Sequence, residues 1–154
     1  MNLALGTDSV ASNNTLDMFE ELKTGAILQR GVACDPEALS GAEVFEWASA
    51  GGARAAGAGS TGELRVGGQA DVVLVDVTGT AATPLHDAES FLYYAASGSD
   101  VTDVFVAGRH VVRNRRVTTM DEDQVREDVR VRVARIKAEL LAAGDAPGIP
   151  ARKS

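Results

Sequence analysis

The residues best placed for chemistry lie near the start of the chain, in LALGTDSVASNN, where alternating apolar residues run into Asp8 and then Ser9, Ser12, Asn13 and Asn14. In parallel α/β proteins, ligands and catalytic groups collect at the carboxyl ends of strands, and Asp8 takes that position if Leu3 and Leu5 form a strand. A helix cap or turn is the competing role, because Asp, Ser and Asn side chains bond locally to backbone. Spacing alone leaves both open. Cys34 could pair as a thiolate with His86 or His110, but it lies in a loop without a flanking signature, so a small, partly buried residue is expected. The two histidines are too far apart in sequence for a local ligand pair, and a catalytic metal wants about three protein ligands, so structural or surface positions are expected for both. GAGSTG at residues 57–62 has the G-x-G-x-x-G spacing, yet it follows a helix and precedes a strand, the reverse of what a dinucleotide site needs. It reads as a turn. Arg109, Arg113, Arg115 and Arg116 lack interleaved aromatics and read as a solvated hairpin edge.

These groups need elements to hold them. Leu3 and Leu5 predict a short strand closed by Gly6, Thr7 and Asp8. Asn14 or Thr15 can cap a helix whose Leu16, Phe19, Leu22, Ala26 and Ile27 recur at helical spacing, with Gly31 as its stop. GAEVFEWASAGGARAAG predicts two short helices broken at Gly51 and Gly52. From residue 57 the texture turns to β, with a strand at Val72 to Val75, a short helix in ESFLYYAAS, a hairpin turning near Gly108 and a third short strand around Val117. Val125, Val129, Val133, Ile136 and Leu140 predict an amphipathic helix from Asp121 to Ala143, behind a capping box from Thr119 to Glu122, with a frayed end beyond Gly144. A lone βα unit cannot cover both faces of its strand, so further chain upstream is expected.

The chain has 154 residues, 45% of them hydrophobic, about one domain with a core of normal size. Its net charge of -7 argues against binding nucleic acid or anionic lipid. A single cysteine makes no internal disulfide, no signal-peptide pattern opens the chain, and no apolar run approaches the roughly 20 residues that cross a bilayer. A cytoplasmic location without membrane or nucleic-acid partners is expected.

Four stretches together resemble the carboxyl-terminal part of an amidohydrolase-superfamily enzyme. LALGTDSVASNNTLDMFEELKTGAILQR resembles that family's last barrel strand, metal-binding loop and following helix, and WASAGGARAAG its helical link to a small β-domain. GELRVGGQADVVLVDV is similar to the turn and strand that return to that domain, and DVFVAGRHVVRNRRV to its closing hairpin. More narrowly, they resemble the branch of metal-dependent deaminases and chlorohydrolases that includes methylthioadenosine/S-adenosylhomocysteine deaminase and the triazine hydrolases. The resemblance implies an α/β fold: the last βα unit of an incomplete (β/α)8 barrel at 1–56, part of a small composite β-sandwich at 57–120, a terminal helix at 121–143 and a tail at 144–154. It also implies that Asp8 is both metal ligand and catalytic proton carrier, with a divalent metal, zinc or iron, in the full-length enzyme. Ser12, Asn13 and Asn14 would border the site, supporting Asp8 or touching substrate; loop capping is their other role.

The departure from the family is as informative. Family members place a His-x-His pair on the first barrel strand and further histidines on middle strands, and none of these is in this sequence. The expectation is a truncated metal-dependent hydrolase of C-N bonds in cyclic amidines, an adenine-type nucleoside deaminase acting on a small nitrogen heterocycle. The isolated chain is expected to be inactive, to hold no metal and to be poorly soluble or oligomeric. The alternative is a non-catalytic remnant or interaction module that packs on a partner carrying the rest of the barrel.

Overall fold

Asp17 begins the first helix by taking an extended backbone and accepting the Phe19 N–H on its carboxylate at 2.9 Å. In this computed structural model, residues 1–59 and 61–142 are described; they belong to two compact units, the first Met1–Arg115 and the second starting at Arg116. Helix α1 (Met18–Ala33) carries Glu20 and Glu21 in its first turn, where the helix dipole favours acids. Asn14 and Thr15 do not cap it, because Asn13 folds back on Thr15 and Leu16 and delays the helix until Met18. Nor is Gly31 its stop: the helix runs through Gly31, and Cys34 takes the left-handed cap at φ 52.

The two short helices are α2 (Gly41–Ala48), opened by a Ser40–Glu43 capping box, and α3 (Ala50–Ala55). The break falls at Ser49 rather than at Gly51 and Gly52, which lie inside α3. Residues Gly57 and Gly62 of the GAGSTG stretch have positive φ, as a turn requires, and a Cβ on Gly62 would lie 2.7 Å from the Ala50 Cα. Helix α4 (Ala88–Tyr94) is capped by Asp87 through the Ser90 N–H at 2.8 Å. Packing of α1, α2 and α4 makes the core: Leu22, Ala26, Leu39 and Val44 are buried, with Leu5, Phe19, Trp47 and Tyr94 against them. Arg30 fastens this layer. Its guanidinium donates to the Leu39 carbonyl at 2.9 and 2.7 Å and to the Tyr94 hydroxyl at 2.7 Å, and lies 5.3 Å from the Tyr94 ring centre.

The β half of this unit is an antiparallel sheet in the order β1 (Val72–Val75), β2 (Val101–Val106), β3 (Arg109–Arg113). Ala107 and Gly108, at φ 48 and 76, form the two-residue turn that the right-handed twist of a hairpin favours. None of the residues in β1, β2 or β3 is buried. The strand expected at Leu3 and Leu5 does not form: the Leu5 N–H bonds the Trp47 carbonyl at the end of α2, and among the described residues no neighbouring strand offers the ladder that defines one.

The second unit opens with the short strand β4 (Arg116–Val117) and continues as α5 (Glu122–Ala142). Asp121 rather than the expected Thr119 box caps α5, accepting from the N–H groups of Asp123 and Gln124 at 3.0 and 3.1 Å. Val125, Val129, Val133, Ile136 and Leu140 form the expected stripe, and each is exposed. The predicted frayed end beyond Gly144 lies outside the described residues. No described helix is long and apolar enough to cross a membrane.

Two outcomes follow from these contacts. Arg30→Lys loses the planar fork that reaches Leu39 and Tyr94 together, and should cost about 1.5–3 kcal/mol in a urea unfolding titration. Asp76 accepts from the Thr78 hydroxyl and N–H and from Arg115, which holds its carboxyl down to about 2. A depressed carboxyl stabilises the fold above its unfolded value and loses that contribution as pH falls through the folded one. The difference in melting temperature between the protein and Asp76→Asn should therefore be full above about pH 4 and close by about pH 2.

Candidate functional site

Asp8 stands in the left-handed region at φ 58, a conformation that Asp tolerates better than most residues and that turns the chain sharply after Thr7. The following turn is closed by Ser9, whose carbonyl accepts from the Ser12 and Asn13 N–H groups at 3.0 and 2.9 Å. That closure returns the Ser12 hydroxyl to Asp8, where it donates to Oδ2 at 2.8 Å, with the Ser9 carbonyl a second acceptor at 3.1 Å. Asp8 and Ser12 are exposed. A carboxylate with one oxygen held by a neighbouring hydroxyl is fixed in orientation and keeps acceptor capacity on the other.

Asn13 works in the opposite direction. Half-buried, it accepts on Oδ1 from the Thr15 N–H and hydroxyl, both at 3.1 Å, while its amide donates to Glu21 of α1 at 2.5 Å. Thr15 also donates to Glu20 at 2.6 Å, so the first turn of α1 holds the end of the loop. Asp17 extends the anchorage: its Oδ2 accepts the Gly98 N–H at 2.8 Å, in the turn that leads into β2. Asn14 is exposed. The geometry thus brings Asp8 and Ser12 together, gives Asn13 to loop anchorage and leaves Asn14 at the surface. Glu20 and Glu21 are the supports of the loop and Asp17 that of the helix start, and helical spacing alone marks none of them for this work; the reach of Glu21 to Asn13 depends on the turn at Ser9.

The remaining chemical residues lie elsewhere. Cys34 is exposed at the end of α1, and His86 is exposed ahead of α4. His110 Nε2 lies 2.7 Å from Asp103 Oδ1, its Nδ1 accepts from Arg113 Nε at 3.1 Å, and its ring stacks on Phe105 at 4.2 Å. The Thr102 hydroxyl, His110 and the Asn114 N–H together hold the Asp103 carboxyl below its ordinary value. These are fold contacts of a hairpin. Of the arginines, Arg115 pairs with Asp76 at 2.9 Å and Arg116 lies 3.5 Å from Asp123. Among the described residues no three His, Cys, Asp or Glu side chains converge as a metal would need. Asp8 brings one donor, so the described residues do not by themselves make up a metal's ligand set.

The chain is similar to known proteins. The model of the amidohydrolase family matches residues 1–111. The chain is 44% identical over 143 residues to the 5'-deoxyadenosine deaminase of Methanosarcina acetivorans, covering 93% of this chain and 32% of that protein. It is 45% identical over 138 residues to the 5-methylthioadenosine/S-adenosylhomocysteine deaminase of Syntrophobacter fumaroxidans, covering 89% and 32%. Its backbone is similar to the crystal structure of an adenosine deaminase from Xanthomonas campestris with bound zinc, at a TM-score of 0.86 and 45% identity over 90% of this chain and 32% of that one. A triazine hydrolase variant is similar at a TM-score of 0.78 and 25% identity, over 85% and 29%. The chain thus spans about a third of the length of the proteins it matches. With a mixed α/β fold that follows these structures and a family match across most of its residues, the chain belongs to the amidohydrolase family.

Proposed function

We propose that the chain is the carboxyl-terminal portion of a metal-dependent hydrolase that removes an amino group from an adenine-type nucleoside. The observation that carries this reading is the Asp8 carboxylate, turned by a left-handed backbone and held through Oδ2 by Ser12, in a chain 44–45% identical to two proteins named as deaminases of adenosine derivatives. In this reading residues 1–56 end a (β/α)8 barrel, residues 57–120 form part of a small β-sandwich and residues 121–143 are a terminal helix. Zinc or iron belongs to the full-length enzyme, and most of its ligands would come from polypeptide outside this chain.

The part played by the residues present is proton transfer. Asp8 takes a proton from the attacking water as the water oxygen bonds to the sp2 carbon of the cyclic amidine, and then hands it to the departing amine. Carbon–oxygen bond formation and carbon–nitrogen cleavage release ammonia, the second proton of the water ends on the ring nitrogen beside the new ring carbonyl, and Asp8 is restored to carboxylate. Ser12 orients the carboxylate, Asn13 keeps the loop on α1, and Asn14 is free to meet substrate. The interaction-module alternative draws on a different observation, the lack of a converging ligand cluster among the described residues.

A chimera tests the proposal: residues 1–142 replace the matching third of the zinc-bound adenosine deaminase, and deamination of 5'-deoxyadenosine is followed by ultraviolet absorbance. The folded chimera should be active, and Asp8→Asn should lower kcat by on the order of 10²–10⁴-fold, the usual worth of a positioned acid–base group. A cooperatively folded chimera whose turnover is the same with and without the substitution would remove Asp8 from the chemistry.

A further inference from the structure

Two residues of the loop that carries the candidate carboxylate stand in the left-handed region without being glycine: Asp8 itself at φ 58 and Leu16 at φ 51. A bulky side chain such as leucine keeps that conformation only where its surroundings over-determine it. Asn13 supplies the constraint at both ends. Its N–H closes the turn behind Asp8 by donating to the Ser9 carbonyl at 2.9 Å, and its Oδ1 accepts from the Thr15 N–H at 3.1 Å and the Leu16 N–H at 3.4 Å.

The side-chain amide of Asn13 can do this in one orientation only, because the reverse would aim its NH2 at those two N–H groups. Glu21 selects the orientation. It is half-buried, as Asn13 is, and its carboxylate is an acceptor, so it takes the amide NH2 at 2.5 Å and leaves Oδ1 turned to the loop. Glu20 accepts the Thr15 hydroxyl at 2.6 Å, which holds the end of the loop without bearing on the amide. A line of bonds thus runs from Glu21 of α1 through Asn13 to Ser9, the turn that returns the Ser12 hydroxyl to Asp8 Oδ2. We propose that Glu21, acting through the Asn13 amide, positions the Asp8 carboxylate for proton transfer. The proposal rests on the reading of Asp8 as the proton carrier, and adds a positioning residue on α1, outside the loop.

Exchanging donor and acceptor tests this. Asn13→Asp sets one carboxylate against another and removes the bond; adding Glu21→Gln supplies an amide on the other side and restores the pair with its direction reversed and its net charge unchanged. In the chimera, Asn13→Asp should lower kcat for 5'-deoxyadenosine by on the order of 10–10²-fold with KM within about threefold, and the double substitution should recover kcat to within about threefold. In the isolated chain, nuclear magnetic relaxation should show the backbone order parameters of residues 9–13 falling from about 0.85 to below about 0.6 in Asn13→Asp and returning in the double substitution. A loss of kcat that the second substitution does not recover would overturn the proposal. So would a loop that stays ordered in Asn13→Asp, or one that loosens while an active chimera keeps its kcat. A chimera that never deaminates, beside an isolated chain that shows both the loosening and its recovery, would sink the deaminase reading and leave Glu21 as the residue that fixes the Asp8 turn.

Discussion

The carboxylate of Asp17 joins the two halves of the first unit. One oxygen caps α1, and the other accepts the Gly98 N–H 81 residues further on. A side chain at position 98 would crowd that contact, since its Cβ would lie 3.3 Å from Asp17 Oδ2. The capped helix carries Leu22 and Ala26 into the core, and the Gly98 turn delivers the chain into β2. Between them, the loop from Asp8 to Asn13 is stretched from the Leu5–Trp47 hydrogen bond to the Glu21 anchor. The orientation of the candidate carboxylate is thus inherited from a helix start.

Stability is distributed unevenly around that joint. Buried apolar area, the main favourable term in folding, is concentrated where α1, α2 and α4 meet. The sheet depends instead on its ladders, the Asp76–Arg115 pair and the Asp103–His110 contact. Polar contacts of this kind contribute modestly beside water, so the helical layer is the part that resists opening and the sheet the part that yields first.

Much of this was legible in the residues. Turn glycines and β-branched runs mark β1, the hairpin at Gly108 and β4, and apolar spacing marks α1, α4 and α5, because those signals are local. What escaped was set by competition or by absent neighbours. Gly31 is no stop once Cys34 accepts the left-handed cap, and Thr119 loses the start of α5 to Asp121, whose carboxylate meets two N–H groups. The strand at Leu3 and Leu5 could not be judged from its own alternation, because a strand exists through its partner. In the candidate site, Asp8 stood out by position and residue type. The division of work between Ser12 and Asn13 did not, since both suit capping and only the turn at Ser9 decides which faces Asp8 and which faces Glu21.

The left-handed backbone at Asp8 sets the proposed chemistry against robustness. Residues other than glycine pay for that conformation, whereas glycine adopts it freely, so a glycine at position 8 would relax the loop and erase the carboxylate together. If Asp8 carries the proton as proposed, a library of active chimeras sorted only for heat resistance would be drawn toward that exchange, and one sorted for turnover would be driven away from it. Position 8 is where the two kinds of selection would diverge first.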